Sequence, residues 1–292
     1  MQKVFVTGAT GFLGKKLIEQ LVKKNIEIVC LVRDKSKLSI HKNIELVKGD
    51  LRESKSYEDA LKGVDTVIHA AALVGVEDKE KNFDVNLKGT QELIKAMKKH
   101  DVKHCVFISS ISAGLAQRSH YAESKRKAER ELLLSGIPTT VLRLNVLIGK
   151  DSPQLTKIIS MASLPIIPMV GSGKKVIQPI AVEDAVSVII QAMTHLTTNQ
   201  RTYTVSGKEK ISYRDFLDMI TEENLGKKKM KFGIPLIGCY IIAIGLKLIN
   251  KPIITKGQII LINQDAVSSV RDLKKTFVFD PKPLKQIIRE AK

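Results

Sequence analysis

Short β-branched apolar runs alternate with amphipathic segments through the first half of the chain. The runs are almost continuously apolar, which predicts strands buried on both faces of a sheet. One amphipathic segment carries Leu13, Leu17 and Leu21 at helical spacing, with Lys15 and Lys16 outside this stripe. Strands that alternate with helices indicate an α/β fold with an open parallel sheet wound on both faces. The six predicted strands are Val4–Thr7, Ile26–Val32, Ile44–Val47, Thr66–His69, Val102–Ser109 and Thr139–Leu144.

The hydrophobic pattern becomes less regular after Gly149, where prolines and glycines are frequent. Beyond this stretch the sequence predicts a strand, a helix, a second short strand and a second helix. These are Val176–Ile180, Val182 to about Met193, Tyr203–Val205 and Tyr213–Thr221. We therefore expect a sheet domain and a smaller lobe. The sheet domain comprises residues 1–150 with 176–195 returning to it, and the lobe comprises 151–175 and 196–292.

Three glycines lie between the first predicted strand and the helix after it. Gly8 permits a tight turn, Gly11 lets the backbone approach a pyrophosphate, and Gly14 lets the helix pack close to the sheet. The N-terminus of that helix offers N–H groups and the positive end of its dipole to phosphates. Because a strand precedes the glycines and a helix follows them, they predict a dinucleotide-binding loop.

This loop resembles that of the short-chain dehydrogenase/reductase superfamily. Its spacing, GxxGxxG, is similar to the extended and atypical branches, which include NAD-dependent epimerases and dehydratases, sterol-dehydrogenase-like proteins and complex I accessory-subunit-like proteins. The resemblance implies a Rossmann-type doubly wound sheet with a smaller C-terminal substrate lobe. It continues along the chain in Gly49-Asp50-Leu51, His69-Ala70-Ala71, Val85-Asn86-Leu87-Lys88-Gly89-Thr90 and residues 178–185.

Tyr121 and Lys125 lie four residues apart in a predicted helix, so that the phenol and the ammonium share one face. A free tyrosine has a pKa of about 10 and is a poor base at neutral pH. The lysine cation and the positive nicotinamide of an oxidised cofactor both favour phenolate, so we expect a lowered Tyr121 pKa. The pair is therefore the candidate general acid and base.

The resemblance also implies roles for other polar residues. Ser110 would hold the substrate oxygen, with Ser109 and Ser112 as alternatives, because the gap to the tyrosine is short for the extended branch. Asn86 would orient a water next to Lys125. The implied cofactor-binding residues are Gly8, Thr10, Gly11, Phe12, Leu13, Gly14, Arg33, Asp50, Leu51, Ala70, Ala71, Tyr121 and Lys125.

The end of the second predicted strand bears on the choice of nicotinamide cofactor. In dinucleotide-binding folds an acidic residue there binds the adenosine ribose, whereas an arginine accommodates a 2′-phosphate. Arg33 stands at this position, Lys35 and Lys37 follow, and Asp34 is one place too late for the usual ribose contact. A guanidinium holds a phosphate in bidentate fashion, so we expect NADP(H), with NAD(H) as the alternative. The resemblance places Asp50 against the adenine amino group.

The sixth predicted strand departs from the resemblance at one position. Leu142-Arg143-Leu144 is similar to a Leu-Arg-Pro segment of the family, with Leu144 in place of the proline. The family proline shapes the backbone that faces the nicotinamide. We therefore expect cofactor binding to be retained and the nicotinamide contact around Val146 to differ.

The chain has 292 residues and carries 48 Lys and Arg against 30 Asp and Glu, a formal net charge of +18. So basic a protein attracts phosphates, anionic lipids or nucleic acids. We expect no nucleic-acid partner, because aromatic residues make up only 4% of the chain and tryptophan is absent. The three cysteines lie far apart without metal-ligand spacing, so we expect reduced thiols, no metal site and a cytoplasmic protein.

Much of the positive charge lies near the C-terminus. Residues 225–292 hold 14 Lys and Arg and 4 Asp and Glu, a net charge of +10. A lysine-rich run, Lys227–Lys231, precedes the apolar stretch Phe232–Leu246, which is shorter than the roughly 20 residues that span a bilayer. One interpretation is a helix that covers the substrate lobe. The other is peripheral contact with an anionic membrane through residues 227–251.

The motifs together imply hydride transfer between NADP(H) and an apolar carbonyl or alcohol. Tyr121 would move the hydroxyl proton and Ser110 would stabilise the developing oxyanion. A nucleotide-sugar epimerase or dehydratase, which would use the same tyrosine and lysine, is an alternative. A non-catalytic dinucleotide-binding scaffold or redox sensor is another. The expected partner is a small apolar molecule, and a homodimer is a candidate assembly.

Overall fold

The computed structural model describes residues 2–38, 41–162, 164–194, 198, 200–248 and 254–291. In this part of the chain seven strands form one parallel sheet. Numbered in chain order, they are β1 (Lys3–Thr7), β2 (Glu27–Val32), β3 (Ile44–Lys48), β4 (Thr66–His69), β5 (His104–Ser110), β6 (Thr139–Leu144) and β11 (Arg201–Val205). Their order in the sheet is β3-β2-β1-β4-β5-β6-β11. The prediction of a doubly wound parallel α/β fold is confirmed.

Helices cover both faces of this sheet, which explains why its strands are apolar on both sides. Their buried side chains form two cores, one on each face of the sheet. The helices of the first core are α1 (Phe12–Lys23), α6 (Val182–Thr194) and α10 (Val270–Lys274). The helices of the second core are α3 (Gly89–Lys99) and α4 (His120–Leu133), and the short α2 (Lys79–Phe83) precedes α3.

The strand order changes direction between β1 and β4. The chain runs outward from β1 to β3 and then crosses to β4, from which it continues outward on the other side. Ligands of open α/β sheets bind at such a switch point, outside the carboxyl ends of the strands. The loops after β1, β4 and β5 therefore mark where a site is expected.

The remaining elements form a lobe beyond this edge, with a core of its own built mainly from α5, α7, α11 and the short strands between them. The strands are β7 (Leu147–Ile148), β8 (Ile166–Val170), β9 (Val176–Ile177), β10 (Ile180–Ala181), β12 (Ile211–Ser212) and β13 (Met230–Ile234). The helices are α5 (Pro153–Ala162), α7 (Tyr213–Leu225), α8 (Leu236–Leu248), α9 (Lys256–Ile262) and α11 (Leu284–Glu290).

The structure differs from the sequence prediction at three places. The single strand predicted over Val176–Ile180 is two short strands, because Pro179 has no N–H for a ladder and the halves pair with different partners, β12 and β7. Strand β11 pairs with β6, so this part of the range 196–292 lies in the large sheet rather than in the lobe. The apolar stretch Phe232–Leu246 is strand β13 followed by helix α8, with Pro235 between them.

Helix α8 is the most apolar helix of the lobe, and it has 13 residues. None of the helices in the described ranges combines the length and the apolar character that crossing a bilayer requires.

Candidate active site

The loop after β1 packs against the turn after β4 through glycine. Gly8 has φ +77°, and a Cβ on it would lie 2.6 Å from the Ala71 nitrogen and 2.7 Å from the Ala70 carbonyl carbon. A Cβ on Gly14 would overlap the carbonyl oxygen of Gly8. Gly11 is different, because its added Cβ would be in ordinary contact, 3.4 Å from the same oxygen, and the residue is exposed. The packing of the protein requires glycine at positions 8 and 14 but not at 11, as expected if position 11 faces a ligand.

The N-terminus of α1 opens onto this loop. Its N-cap residue, Gly11, has no side chain to accept from the first turn, and no acidic residue lies in that turn. The N–H groups of the first turn therefore point to a site that suits an anion. Thr10 and Phe12 are half-buried beside the loop, and Leu13 packs on the core below. These residues fit the pyrophosphate of a dinucleotide.

Beyond β2 the acidic and the basic side chains differ in their contacts. The Asp34 carboxylate accepts from the backbone N–H and the hydroxyl of Ser36, at 3.0 and 2.8 Å, and this hydrogen bonding lowers the Asp34 pKa. Arg33 is exposed, and no carboxylate pairs with its guanidinium in the described ranges. Lys37 and Lys48 lie near enough to Asp34 to contribute to its lowered pKa.

Asp50 lies at the other side of this region and is already bonded. Its carboxylate accepts from Arg52 Nε and Nη2, both at 2.9 Å, and these hydrogen bonds lower the Asp50 pKa to about 2. Arg52 also donates to Asp84 at 2.9 Å. The expected adenine contact of Asp50 would therefore share the carboxylate with Arg52. The Leu51 side chain packs inward against Gly89, so it is the backbone of Leu51 that is left to face the candidate site.

Ser110, Tyr121 and Lys125 converge at the carboxyl end of β5. The Ser110 hydroxyl hydrogen-bonds the hydroxyl of Ser112 at 2.8 Å, and it lies near enough to the phenol of Tyr121 to act on the Tyr121 pKa. Helix α4 presents Tyr121 because Ser119 caps its N-terminus, accepting from the backbone N–H of Ala122 at 3.2 Å. The arrangement brings a serine hydroxyl close to the candidate acid.

The three serines predicted as alternatives are distinguished by what they contact. Ser109 is buried and donates to Glu129 on α4, away from the tyrosine. Ser110 lies near enough to the phenol to act on the Tyr121 pKa, and Ser112 supports Ser110 by donating a backbone N–H to its oxygen at 3.2 Å. In the ladder, Ser110 lies beside Leu144. Leu144 stands where the resembling family segment has a proline, and strand β6 continues to this residue.

The side chain of Lys125 is almost fully buried, with its Nζ 3.9 Å from the centre of the Phe107 ring. Burial lowers its pKa to about 7, against an opposing effect of the Glu129 carboxylate. Glu129 is held by Arg143 through two hydrogen bonds, 2.9 Å from Nε and 2.6 Å from Nη2. Lys125 therefore changes its charge near neutral pH.

The expected lowering of the Tyr121 pKa is wrong for the protein alone. Burial raises the pKa of Tyr121 to about 12, and the hydrogen bond from Ser110 offsets only part of this increase. The reason is that the phenol lies in a poorly hydrated site, where the charged phenolate is disfavoured. Tyr121 is thus protonated at neutral pH and ready to act as an acid.

Asn86 has a positioning contact that the sequence did not indicate. It lies in a π-helical turn, Asp84–Lys88, and its Oδ1 accepts from the Leu73 N–H at 2.7 Å while its Nδ2 donates to Ser124 Oγ at 3.0 Å. Ser124 in turn donates to the Tyr121 carbonyl at 2.7 Å. The Asn86 side chain therefore ties the loop after β4 to the helix of the tyrosine. Its predicted role with a water stays a prediction.

Sequence reasoning missed a buried chain of hydrogen bonds around His69. Its Nδ1 accepts from the Thr7 hydroxyl at 2.7 Å, and its Nε2 lies 3.0 Å from the Thr90 hydroxyl, which donates to the Asn86 carbonyl. Because the Thr90 hydroxyl gives its proton to the Asn86 carbonyl, it accepts from the ring, and a neutral Nε2–H histidine fits these contacts. Burial lowers the His69 pKa well below its usual value. The indication in the sequence was a histidine inside an apolar strand.

Glu129 was also missed, although its spacing could have identified it. It lies four residues after Lys125 and three before Leu132, on the buried face of α4. A carboxylate on that face needs a cationic partner. Arg143 on the adjacent β6 supplies it.

The fold and the site define a dinucleotide-binding α/β protein with a serine, a tyrosine and a lysine at its sheet edge. Residues 4–206 match the NAD-dependent epimerase/dehydratase family, and the chain belongs to this family of NAD-dependent enzymes. The resemblance to the extended short-chain dehydrogenases is confirmed.

Relatives lie at modest identity. The 2-alkyl-3-oxoalkanoate reductase of Shewanella oneidensis is 26% identical over 249 residues, which is 74% of this chain and 64% of the reductase. The decarboxylating sterol-4-alpha-carboxylate 3-dehydrogenase of Mus musculus is 26% identical over 281 residues, 85% of this chain and 75% of the dehydrogenase. The crystal structure of gox2253 has a TM-score of 0.81 at 23% identity, over 100% of this chain and 97% of that one, and so has the same fold.

Proposed function

We propose that this protein is an NADP(H)-dependent oxidoreductase that interconverts an apolar carbonyl compound and its alcohol. The observation that carries the proposal is the meeting of Ser110, Tyr121 and Lys125 at the carboxyl edge of the sheet, beside the glycine loop. A phenol close to a serine hydroxyl and followed one turn later by a buried lysine can protonate a substrate oxygen. The glycine loop supports a dinucleotide next to it.

Three side chains of the protein have separate roles in the proposed acid–base chemistry. In reduction, the Tyr121 hydroxyl donates its proton to the carbonyl oxygen, while the Ser110 hydroxyl donates a hydrogen bond to the same oxygen as negative charge develops. The Lys125 cation stabilises the phenolate that remains. A bound nicotinamide supplies the hydride chemistry. In oxidation the same groups act in reverse.

The cofactor proposal is NADP(H) rather than NAD(H). Arg33 is exposed without a carboxylate partner in the described ranges, and Asp34 is already bonded to Ser36. A 2′-phosphate gains from a free guanidinium, whereas a ribose diol needs a free carboxylate. We expect kcat/KM with NADPH to exceed that with NADH by at least about tenfold.

The proposed substrate is a lipid-like molecule. The two named relatives act, by their names, on an alkyl-oxoalkanoate and on a sterol carboxylate. The lobe that follows the sheet edge is itself built on an apolar core, and the segment 254–262 next to α8 is rich in isoleucine.

The division into a dinucleotide-binding domain and a substrate lobe, with β11 reassigned to the sheet, is part of the proposal. A homodimer and a peripheral contact with an anionic membrane through residues 227–251, of which the structure describes 227–248, are proposed as well.

Turnover of a panel of long- and short-chain ketones with NADPH and with NADH tests this proposal. Tyr121→Phe removes the acid and is expected to lower kcat by about 100-fold or more. Tyr203→Phe is the matched control, because the buried Tyr203 hydroxyl has no hydrogen-bond partner in the described residues and its loss is expected to be neutral. Unchanged turnover in Tyr121→Phe would overturn the mechanism.

An epimerase or dehydratase is the second candidate, because the matching family includes both activities. The same tyrosine and lysine would serve it. Such an enzyme regenerates its cofactor in each cycle and so holds it tightly. Native mass spectrometry of the purified protein separates the two candidates: retained NAD⁺ together with no ketone-dependent NADPH oxidation favours the epimerase or dehydratase.

A further inference from the structure

Helix α8 leaves an apolar face without protein cover. Its buried side carries Cys239 and Ala243, which pack with Ile259 of α9. On its other side, Ile237 and Ile241 are 77% and 65% exposed. Monomeric proteins seldom expose large apolar side chains next to one another unless the surface binds something.

Apolar exposure continues on the strand that leads into α8. Met230 and Phe232 of β13 are exposed, and Met230 lies in register beside the exposed Ile166 of β8. We call these residues together the α8 face; it consists of Ile166, Met230, Phe232, Ile237, Ile241 and Ile244. These residues lie on α8 and on the two-stranded sheet that precedes it in the lobe.

The charges around the α8 face suit an anionic surface. Lys227 and Lys228 are exposed just before β13, where Lys228 forms an exposed ion pair with Glu222 at 3.7 Å, and α8 contains neither Asp nor Glu. Lys231, by contrast, points inward and pairs with Asp218, so it belongs to the lobe. Lysines beside a broad aliphatic face meet lipid headgroups and acyl chains at the same time, as interfacial helices do.

Helix α9, on the buried side of α8, contacts the loops beside the candidate active site. The Lys256 N–H donates to the Glu77 carboxylate in the loop after β4. Gln264, just after α9, forms two hydrogen bonds of 2.9 Å with the backbone of Gln117, which lies before the helix of the catalytic tyrosine. Gly257 lies against Ser119, the cap of that helix. One helix therefore separates the α8 face from the residues around Tyr121.

We propose that the α8 face docks on an anionic lipid bilayer and that an apolar substrate reaches Tyr121 from the bilayer along α9. The route rests on the proposed function for its substrate class, whereas the docking does not. An aliphatic face with lysines at its border and no acid on its helix matches a lipid surface. The energetic centres of protein interfaces are enriched in tyrosine, tryptophan and arginine, whereas four of the six residues of the α8 face are isoleucine.

Sedimentation with vesicles tests the docking. The full chain is mixed with vesicles of phosphatidylcholine alone, or of phosphatidylcholine and phosphatidylglycerol in equal parts. We expect binding to the mixed vesicles, and weaker binding at high salt because the lysines contribute. The double variant Ile237→Glu with Ile241→Glu is expected to lose at least about tenfold in binding.

Two further variants keep the result interpretable. Leu134→Glu with Val278→Glu places the same charges at residues that are equally exposed but lie outside the α8 face, and it is expected to bind as the unmodified protein does. Lys227→Glu with Lys228→Glu tests the charge without touching the apolar residues and is expected to weaken binding severalfold. Thermal unfolding confirms that each variant is folded.

Outcomes for docking and for function are separable. Equal binding by the Ile237/Ile241 variant and the control variant overturns the docking, and so does a dimer that this variant dissociates while no vesicle is bound. If docking holds and the route is right, this variant reduces a vesicle-embedded ketone more slowly but a short-chain soluble ketone at the normal rate. Vesicle binding without turnover of any ketone leaves the docking standing and overturns the proposed function and the route.

Discussion

Lys125 is the residue whose charge the surroundings control most closely. Burial against Phe107 lowers its pKa to about 7, and the carboxylate of Glu129 acts in the opposite direction. Glu129 is in turn neutralised by Arg143, at 2.6 Å. The buried ion pair between Glu129 and Arg143 thus helps to set the charge of Lys125, whatever its net contribution to stability.

The pH dependence of ketone reduction is expected to report this arrangement. The Lys125 cation stabilises the phenolate formed in reduction, so the rate should fall as pH rises through about 7, where Lys125 loses its proton. In Glu129→Gln, the carboxylate that supports the cation is gone and Arg143 remains. The midpoint of the fall should therefore move to lower pH, and stability should drop by about 3 to 5 kcal/mol. Steady-state rates across pH measure the shift.

Glu131→Gln is the matched control for this change, since Glu131 is an exposed neighbour on the same helix. It should leave the pH profile in place. A Glu129→Gln profile that coincides with that of the control would contradict the assignment of Lys125 as the titrating group.

Replacing Lys125 with methionine should trade activity for stability. The unfolded lysine keeps its proton up to its ordinary pKa of 10.5, whereas the folded one releases it near 7. Folding therefore expels a proton between these values, so stability rises with pH across this window, by about 1.4 kcal/mol per unit. Lys125→Met lacks the penalty, and its melting temperature should exceed that of the unmodified protein by several degrees at pH 7 and by little at pH 10.

Thermal scans at the two pH values decide this prediction, with Lys127→Met, an exposed lysine on the same helix, as the control. A Lys125→Met protein that is less stable than the control at pH 7 would show that the lysine makes a net favourable contact in the fold.

At the scale of elements, the glycine loop contains one glycine that the packing of α1 requires and another that the packing does not require. An added Cβ at Gly14 overlaps the Gly8 carbonyl oxygen and would push α1 from the sheet, while one at Gly11 makes only ordinary contact at 3.4 Å. The two glycines are therefore constrained by different partners, although the sequence motif presents them alike.

Alanine substitutions test this separation. Gly14→Ala should lower the melting temperature of the protein without cofactor by several degrees, because α1 must shift. Gly11→Ala should leave that temperature nearly unchanged and weaken NADPH binding by about tenfold or more, because the Cβ occupies the space the pyrophosphate approaches. Calorimetric titration and thermal scans measure both. Equal effects of the two substitutions on the melting temperature would be inconsistent with this interpretation.

Strands could be predicted from the sequence where a local run of apolar residues marks them. The errors arose where the bounds of a strand depend on which other strand it pairs with. The first six strands were recognisable because each is an apolar run covered on both faces. The division of Val176–Ile180 depends on which strands pair with its halves, which periodicity does not encode. The same holds for Glu129, whose partner Arg143 is close only in the folded sheet. That Ser110 and Tyr121 lie close together could be predicted, because Ser110 ends β5 and Tyr121 begins the next long helix after that strand.

At the scale of the molecule, polar contacts connect the loops at the sheet edge to α9 and to the residues just after it. The reciprocal hydrogen bonds between Gln264 and Gln117 are among them, both at 2.9 Å. Each such bond contributes about 0.5 to 1.5 kcal/mol. These polar contacts help to set the position of α9 relative to the tyrosine, and a substitution can remove them.

Gln264→Ala should loosen this connection. We expect KM for a long-chain ketone to rise by about fivefold with little change in kcat, because the residue positions α9 and does not touch the reacting atoms. Gln191→Ala, which removes a comparable pair of hydrogen bonds to the backbone of Val278 elsewhere on the surface, should leave KM unchanged. A parallel rise in both variants would attribute the effect to general destabilisation.

The N-terminus of α1 also has a consequence for how the first turn of this helix is stabilised. Most helices of proteins begin with a serine, threonine, aspartate or asparagine that satisfies the first amides, and α1 begins with Gly11, which cannot. We therefore expect the phosphates of a bound dinucleotide to accept from these amides, and so to complete the helix as well as fill a binding site. Protection of these few amides against hydrogen exchange should track cofactor occupancy one for one, making the start of α1 an internal gauge of how much of the enzyme is loaded.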